Sequence, residues 1–205
     1  MEKAKKEVEQ MKYNQQRDQR KYQNTVNNAQ GHFFESYIKA ACNIYSERER
    51  AEIDKIPEPF RVLEKSRDGV FKGRFTAHAQ PDFQGTLAGG RSIVFEAKYT
   101  TTDRMKQDVL TEDQEEALTH HASLGALAAV CVGIKDDSFL VPWEIWRDMK
   151  QLYGRKYVTA EDLEKFRVRF NGAVMFLDYI HEIGGRWISG IDCNMEEWKQ
   201  HRPIC

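Results

Sequence analysis

The chain has 205 residues, of which 40% are hydrophobic and 31% are charged, with a formal net charge of −1 at pH 7. This size and composition predict one globular domain with a sizeable core and some additional elements. They exclude a membrane protein, because no apolar run approaches the roughly 18 residues of a span, and they argue against a strongly basic nucleic-acid binder. The four cysteines are scattered without metal-ligand spacing, which predicts reduced thiols in a cytoplasmic protein.

The predicted organisation begins with a polar, basic arm of residues 1–28. Lysine, arginine, glutamine and asparagine dominate this stretch, which is typical of a mobile arm or of the start of an extended polar helix. Residues 1–30 contain seven basic and four acidic side chains. Phosphate binding depends on such local patches rather than on net charge, although an ordinary solvated segment has the same pattern.

A folded domain is predicted over residues 29–166, and it starts with a helix of about residues 29–46 that Asn28 caps. Its apolar side chains recur near helical spacing, and we expect the aromatic ones to lie in the core. They are Phe33, Phe34, Tyr37, Ile38 and Cys42. Glu35 interrupts this pattern, which fits either a salt-bridged surface glutamate or a helix carboxylate that faces a site.

The next segment changes from a rigid connector to a polar, basic stretch. Pro57-Glu58-Pro59 predicts an extended connector, and residues 60–63 predict a short strand. Residues 64–80 are basic and interrupted by glycine, with too little apolar surface to form core. They predict a protruding hairpin or loop, which is either a solvated hairpin or a phosphate-binding element.

The pattern with most chemical content is Pro81-Asp82 followed by Glu96-Ala97-Lys98. Residues 92–99 are rich in β-branched and aromatic side chains, which predicts a β-strand. Glu96 and Lys98 then share one face, while the other face points to a core. If the Asp82 segment pairs with this strand, two carboxylates and an ammonium converge. Such a group suits Mg²⁺, which can activate water and stabilise charge on a phosphoryl oxygen.

The spacing acidic-x-Lys is a weak signal by itself. It also occurs in Asp148-Met149-Lys150 and Glu197-Trp198-Lys199, but only the Glu96 copy lies in a strand-like run with a Pro-Asp upstream. A solvated strand end with a weak exposed ion pair is the ordinary explanation of such a pattern. The rest of the chain has to supply the context that favours a catalytic site.

Helices and strands alternate after residue 99. A polar loop of residues 100–108 precedes a helix that runs from the capping-box pattern Thr111-Glu112-Asp113-Gln114 to about residue 124. The further predicted elements are a buried strand (126–133), an edge strand (139–141), a helix from Pro142 to about residue 152 and a short helix from Thr159. In the C-terminal extension, residues 167–205, a hairpin is predicted to pair residues 174–179 with 186–188 across Gly184-Gly185. This order describes an α/β fold with a mixed central β-sheet flanked by helices.

Five sequence blocks then indicate a family. They are Gly31-x-x-x-Glu35, Lys55-Ile56-Pro57-Glu58-Pro59, Pro81-Asp82-Phe83-x-Gly85, Gly90-Arg91-x-Ile93-x-Phe95-Glu96-Ala97-Lys98-x-Thr100 and Asp113-Gln114. Together they resemble the RecU-type Holliday-junction resolvases, a branch of the PD-(D/E)xK nuclease superfamily. The resemblance covers about residues 29–165, with no match for the arm or for the tail after residue 166. It implies a restriction-endonuclease-like core and a protruding β-hairpin stalk at about residues 64–80.

The resemblance also implies an activity, which is metal-dependent cleavage of four-way DNA junctions by paired symmetric nicks in DNA recombination and repair, using Mg²⁺ or Mn²⁺. The implied catalytic residues are Glu35, Asp82, Glu96, Lys98 and Gln114. Asp82 and Glu96 would hold the metal, and Glu35 would serve it directly or through a water, while Lys98 would orient the attacking water. Gln114 has a local alternative as the partner of Thr111 in the capping box, which is worth about 1 kcal/mol.

The implied partner is branched DNA, bound by a homodimer, because one site cuts one strand and a junction needs two cuts. Phosphate contacts are predicted in the stalk and after the Glu96 strand, at Lys65, Arg67, Lys72, Arg74, Arg104 and Lys106. Two other functions stay open on the same fold. One is a nuclease for flap, fork or linear duplex DNA, and the other is a non-catalytic junction-binding protein.

Overall fold

The computed structural model describes residues 29–57, 60–65, 71–75 and 80–179, together with Arg17, Asp68 and the strands Glu182–Ile183 and Arg186–Trp187. Apart from Arg17, which is helical, the predicted N-terminal arm lies outside these residues, as do Arg67 and residues 188–205. None of the helices in the described part combines the length with the apolar content that crossing a membrane requires.

The secondary structure alternates helices with strands, as predicted for an α/β fold. The helices are α1 (29–47), α2 (Glu112–Ser123), α3 (Trp143–Arg147) and α4 (Met149–Tyr153), with 3₁₀ turns at Gln107–Val109 and Glu164–Phe166. The strands up to α2 are β1 (Ala51–Lys55), β2 (Phe60–Lys65), β3 (Phe71–Phe75), β4 (Phe83–Leu87), β5 (Ser92–Thr100) and β6 (Arg104–Lys106). The later strands are β7 (Leu127–Ile134), β8 (Asp137–Pro142), β9 (Tyr157–Thr159), β10 (Val168–Phe170), β11 (Val174–Tyr179), β12 (Glu182–Ile183) and β13 (Arg186–Trp187).

A five-stranded sheet in the order β1-β4-β5-β7-β8 forms the centre of the fold. Strands β5 and β7 pair in parallel, whereas the other neighbours are antiparallel, so the sheet is mixed. Helix α2 lies in the long connection between β5 and β7, which a parallel pair requires. The predicted fold class, an α/β core with a mixed central β-sheet flanked by helices, is confirmed.

Both faces of β5 are buried, because a separate hydrophobic cluster covers each of them. Ile93 and Phe95 belong to a first cluster that includes the buried stripe of α1 and most of β11. Val94 belongs to a second cluster, with Leu118 of α2 and the buried residues of α3. The predicted alternation of β5 is confirmed, and the face that carries Glu96 lies on the α2 side of the sheet.

Helix α1 covers the sheet with one stripe only. The buried members of this stripe are Phe34, Ile38, Ala41, Cys42 and Tyr45. The Tyr45 hydroxyl accepts a hydrogen bond from the Leu177 amide at 3.0 Å, which joins α1 to β11. Phe33 and Tyr37 are 62% and 39% exposed, so the expectation that they lie in the core is wrong. Their positions flank the buried stripe, and Tyr37 contacts the partly exposed Phe170 ring at 5.2 Å between centroids.

Strands β2 and β3 form an antiparallel hairpin at the place predicted for the stalk. Phe60 lies opposite Phe75 and Lys65 opposite Phe71, so the pairing begins at residue 60 rather than at residue 64. The two strands pair only with each other in the described part of the chain. The side chains of three predicted phosphate contacts in this hairpin lie outside the described residues, namely Lys65, Lys72 and Arg74.

The helix predicted from Pro142 to about residue 152 is divided at Asp148 into α3 and α4, and two further segments differ from their predicted secondary structure. Residues 100–108, predicted as a loop, contain β6, which pairs with β9 in a small two-stranded sheet. A three-residue strand is too short for its alternation to be recognised in the sequence. The helix predicted from Thr159 is wrong, because Thr159 ends β9. The Asp162 carboxylate accepts hydrogen bonds from the amide and the hydroxyl of Thr159, which fixes a turn there.

The predicted C-terminal hairpin is wrong in one of its strands. Strand β11, predicted to pair with residues 186–188, pairs with β10, while β12 and β13 pair with each other. Residues 174–177 are buried in the first cluster, where the Phe176 ring contacts Phe95 and Tyr45. The observed partner follows another local signal, the Asn171-Gly172 turn, which joins β10 to β11 with Gly172 at a φ of +90° and Phe170 opposite Val174.

Gly85 marks the closest approach of β4 to β1 and gives a stability prediction. A Cβ added there would lie 2.0 Å from the Glu52 carbonyl oxygen and 2.5 Å from Ile53 Cα. Both are backbone atoms of β1, which cannot move without disturbing its pairing with β4. We therefore expect Gly85→Ala to lower the free energy of unfolding, measured in urea, by about 3 kcal/mol.

The matched control is Gly31→Ala in α1. An added Cβ at Gly31 would meet nothing within 4 Å. Alanine in a helix interior is favoured over glycine by about 1 kcal/mol, so this variant is expected to be as stable as the wild type or slightly more so. A Gly85→Ala protein with wild-type stability would contradict the close β1–β4 approach.

Candidate active site

Asp82, Glu96 and Lys98 converge where the antiparallel neighbours β4 and β5 lie side by side. Asp82 Oδ2 accepts a hydrogen bond from the Ala97 amide at 3.0 Å. Lys98 Nζ lies 2.9 Å from Glu96 Oε2 and 3.6 Å from Asp82 Oδ2. The structure therefore brings together the two carboxylates and the ammonium that the strand pattern predicts.

Glu96 is fully buried, and only one of its two carboxylate oxygens accepts hydrogen bonds from described residues. Oε2 accepts hydrogen bonds from Lys98 and Gln114, whereas no described residue donates to the buried Oε1. Burial raises the pKa of Glu96 to about 7, with the Lys98 ammonium opposing this rise and the Asp82 charge adding to it. The site thus contains a carboxyl whose pKa is raised to about 7 and whose buried Oε1 receives no hydrogen bond from the described residues.

Gln114 connects the start of α2 to this carboxyl. Its amide nitrogen Nε2 donates to Glu96 Oε2 at 2.6 Å. Its Oε1 accepts from the Thr111 amide at 3.1 Å, and its own backbone amide donates to the Thr111 hydroxyl at 3.3 Å. The predicted capping box is therefore present, and the same side chain also contacts the site, so the two alternatives for Gln114 hold together.

Glu35 borders the site without joining it. Its Oε2 forms an ion pair with Lys55, and His32 Nδ1 lies 3.7 Å away. In the described part of the chain, neither a hydrogen bond nor an ion pair links Glu35 to the three converging residues. Lys55 ends β1, and the next amide, that of Ile56, donates to the Asp82 carbonyl at 2.9 Å. Lys55 thus lies between Glu35 and the Asp82 segment.

Comparison with protein families assigns the chain. The model of the RecU family, described as Recombination protein U, matches residues 29–184, which is more than half of the chain. The chain belongs to the RecU family. The resemblance predicted from the five sequence blocks is therefore confirmed, and the match continues beyond residue 165, where the resemblance was predicted to end. Strands β10 and β11, which the first cluster includes, lie in this additional range.

Two further comparisons add little to this RecU-family assignment. Among solved structures, the chain is similar to Hjc, a Holliday junction resolvase from the archaeal hyperthermophile Archaeoglobus fulgidus, with 15% sequence identity and a TM-score of 0.34. The match covers 50% of this chain and 74% of the Hjc chain. No curated relative matches the sequence.

The carboxylates of this RecU-family protein suit a small, hard cation, but they provide few ligands for it. Asp82 and Glu96 supply carboxylate oxygens, which Mg²⁺ prefers, and the open Oε1 of Glu96 is a buried acceptor without a donor. Within the described ranges, no group of three or more His, Cys, Asp or Glu side chains is arranged to hold a metal ion. The residues therefore fit a cation held by two carboxylates, with Glu35 outside the set while it pairs with Lys55.

The second copy of the acidic-x-Lys pattern has a different structure. Asp148 lies between α3 and α4 rather than on a strand, and its carboxylate accepts two hydrogen bonds from Arg147, at 2.9 and 3.0 Å. The hydrogen bonds from Arg147 lower the pKa of Asp148. An exposed carboxylate satisfied in this way has no part in the site. The third copy, Glu197-Trp198-Lys199, lies outside the described residues.

The predicted phosphate contacts that the structure describes are Arg104 and Lys106, on β6 beyond the Lys98 end of β5. Both side chains are exposed. Arg104 Nε lies 3.4 Å from the Asp103 carboxylate, and its guanidinium group lies against the Tyr157 ring. Sequence reasoning gave no role to Lys55 or Tyr157, because each becomes relevant only through a contact with a residue distant in the chain.

The raised pKa of Glu96 predicts a pH dependence of stability in the metal-free protein. Glu96 ionises in the unfolded chain near its ordinary pKa of 4.5, and in the folded protein near 7. Between these values the folded state retains a proton that the unfolded state has released. The stability from this proton is complete below about pH 4.5 and is lost as the pH rises through about 7.

Urea unfolding in EDTA between pH 4.5 and pH 8 measures this loss. We expect the free energy of unfolding to fall with pH in the wild type and to fall less in Glu96→Gln, which cannot ionise. Equal pH slopes for the two proteins would contradict the assignment.

Proposed function

We propose that this protein is a structure-selective endodeoxyribonuclease that resolves four-way DNA junctions by metal-dependent hydrolysis in DNA recombination and repair. One observation carries the proposal within the RecU family. A fully buried glutamate with one open oxygen lies beside a second carboxylate and a lysine ammonium. Burying a carboxyl that lacks a hydrogen-bond donor for one oxygen costs free energy of folding. Stability therefore does not account for this residue, whereas a role in the activity does.

Asp82 and Glu96 would hold a divalent cation, Mg²⁺ or Mn²⁺, which when bound lowers the pKa of a water molecule and stabilises negative charge on a phosphoryl oxygen. The Ala97 amide orients Asp82 through its hydrogen bond to Oδ2, so backbone geometry fixes this ligand. Gln114 orients Glu96 by donating to Oε2, and Oε1, which has no donor among the described residues, would be the oxygen that holds the cation. The two carboxylates are thus presented in a fixed arrangement before any ligand arrives.

Lys98 is the residue proposed to act on the reacting phosphate. Its ammonium lies within reach of both carboxylates, and its side chain is 17% exposed. A partly desolvated ammonium can orient the attacking water and can neutralise the charge that develops on the phosphoryl group. Glu35 would serve the cation directly or through a water, and for this its ion pair with Lys55 has to open.

In the proposed substrate complex, basic residues outside the catalytic group bind the DNA backbone. Arg67, Arg74 and the other basic residues of the stalk would contact the phosphates of the junction arms, with Arg104 and Lys106 beside the site. Two sites are needed for two symmetric cuts, which calls for a homodimer. A cytoplasmic location, with the DNA, goes with this activity.

The decisive experiment compares a mobile four-way junction with a linear duplex of the same sequence. Both are incubated with the full chain in Mg²⁺, in Mn²⁺ and in EDTA, and the products are resolved on a denaturing gel. Paired symmetric nicks in the junction, with metal only, are expected. Equal cutting of the linear duplex would assign the protein to another nuclease class, and tight junction binding without cleavage would assign a non-catalytic binding role.

A further inference from the structure

The strand pair β6–β9 presents a polar outward face beside the candidate site. Met105 of β6 and Val158 of β9 lie opposite each other, and both are buried in the second cluster. Because strand side chains alternate, their neighbours in each strand point outward. We call this outward face the β6–β9 ribbon, which consists of Arg104, Lys106, Tyr157 and Thr159.

The Tyr157 ring contacts two guanidinium groups, those of Arg104 and Arg155. The Cζ atom of Arg104 lies 5.2 Å from the centroid of the Tyr157 ring, and that of Arg155 lies 4.9 Å from it. Both distances are within the range of a cation–π contact, which is about 6 Å. Arg155 also donates to the Asp162 carboxylate and to the Tyr153 carbonyl. Two cations are therefore ordered in one place, which lowers the entropy cost of binding an anion there.

The outward face of the ribbon carries basic side chains and no acidic one. Asp103 is 67% exposed and lies 3.4 Å from Arg104 Nε, which makes a weak ion pair in water. The Asp162 carboxylate pairs with Arg155 and also accepts hydrogen bonds from the amide and hydroxyl of Thr159, so part of the Arg155 charge is offset within the protein. The ribbon therefore fits a partner that carries several spaced negative charges.

The ribbon is built into the chain between two parts of the site. Strand β6 begins soon after Lys98, and the 3₁₀ turn that follows β6 leads to Thr111 and Gln114. Gln107 in this turn donates through Nε2 to the carbonyls of Trp146 and Arg147, at 2.9 Å each, which fixes the path. Strand β6 thus follows Lys98 in the chain, and the segment after it leads to Gln114, which contacts Glu96. A DNA strand bound at the site would therefore have the ribbon as its neighbour.

We infer that the β6–β9 ribbon binds the sugar–phosphate backbone of a duplex arm next to the scissile phosphodiester. Arg104, Lys106 and Arg155 contact the phosphates, and the Tyr157 ring holds the two guanidinium groups in position for them. The contact reads charge and spacing rather than base sequence. It rests on the proposed function, and it adds Arg155 and Tyr157 to the residues that bind the substrate.

Binding of a four-way junction and of a linear duplex in EDTA tests the ribbon without strand cleavage. The dissociation constant is measured at several salt concentrations for the full chain and for Arg104→Gln/Lys106→Gln. Each lost phosphate contact lowers the slope of log affinity against log salt by about 1, so the double variant is expected to lose about 2 on both DNAs. Arg91→Gln, an exposed arginine just before the opposite end of β5, is the control and is expected to keep the wild-type slope.

A second pair of variants tests Tyr157. Tyr157→Leu retains every charge but loses the ring, so we expect affinity to fall by about fivefold with little change in the salt slope. Tyr157→Phe keeps the aromatic ring and is expected to bind DNA with wild-type affinity. Circular dichroism and thermal unfolding establish that each variant is folded.

The outcomes separate the ribbon from the proposed function. An unchanged salt slope in the double variant of a protein that still cuts junctions overturns the ribbon and the phosphate contacts proposed at Arg104 and Lys106, but not the nuclease function. A slope change on the junction but not on the duplex overturns its assignment to a duplex arm. A wild-type protein that binds neither DNA overturns both proposals.

Discussion

Asp82→Asn is expected to reduce junction cleavage by about 1,000-fold or more while leaving junction binding in EDTA unchanged. The side-chain oxygen of the asparagine can still accept the hydrogen bond from the Ala97 backbone amide, so the local backbone conformation is retained. It lacks the charge that holds a divalent cation, which supplies several kcal/mol of transition-state stabilisation. Each 1.36 kcal/mol corresponds to about tenfold in rate. Single-turnover cleavage of a labelled junction in Mg²⁺ measures the loss.

The chain supplies a matched control for this variant in Asp148→Asn. Asp148 precedes Lys150 by two residues, as Glu96 precedes Lys98, but its carboxylate is bonded to Arg147 at the surface. It is expected to cleave at the wild-type rate. If Asp82→Asn cut junctions as fast as Asp148→Asn, the assignment of Asp82 to the metal would be wrong, and the site would have to lie elsewhere in the chain.

The sequence predicts the convergence of Asp82, Glu96 and Lys98 because that convergence depends on short-range rules. The side-chain period of two puts Glu96 and Lys98 on one face of β5. The short connection from β4 to β5 allows only an antiparallel neighbour, which brings Asp82 alongside. Capping chemistry at Thr111 is equally local, and the start of α2 follows it.

Contacts between distant segments could not be predicted in the same way. The burial of Glu96 depends on the packing of α2 and α3 over one face of β5, and the Glu35–Lys55 ion pair depends on how α1 lies beside β1. The error in the partner of β11 has another origin, because the Asn171-Gly172 turn between β10 and β11 is a local signal that the prediction missed in favour of Gly184-Gly185. The burial of Glu96 and the Glu35–Lys55 ion pair are settled by packing, which a pattern of residue types does not contain.

The Gln114→Glu variant separates the structural role of Gln114, the third residue of α2 and the partner of Thr111 in the capping box, from its chemical role. Glutamate is as good as glutamine at this position of a capping box, and a negative charge in the first helical turn is favourable. The variant is therefore expected to keep the helix, as measured by circular dichroism. Its carboxylate cannot donate to Glu96 Oε2, where the amide nitrogen now lies at 2.6 Å. A third negative charge beside Asp82 and Glu96 would instead compete for Lys98.

We expect cleavage by Gln114→Glu to fall by about 100-fold, as for the loss of one preorganised donor at a catalytic group. Gln151→Glu is the matched control, because Gln151 occupies the same third position of α4, is exposed, and has no contact with the site. It is expected to retain wild-type cleavage. A Gln114→Glu protein as active as Gln151→Glu would mean that Gln114 only caps α2. Equal losses of activity and of helix content would mean that its effect on cleavage is indirect. Loss of activity with the helix intact would establish that a residue of the helix cap also orients the buried carboxylate of the site.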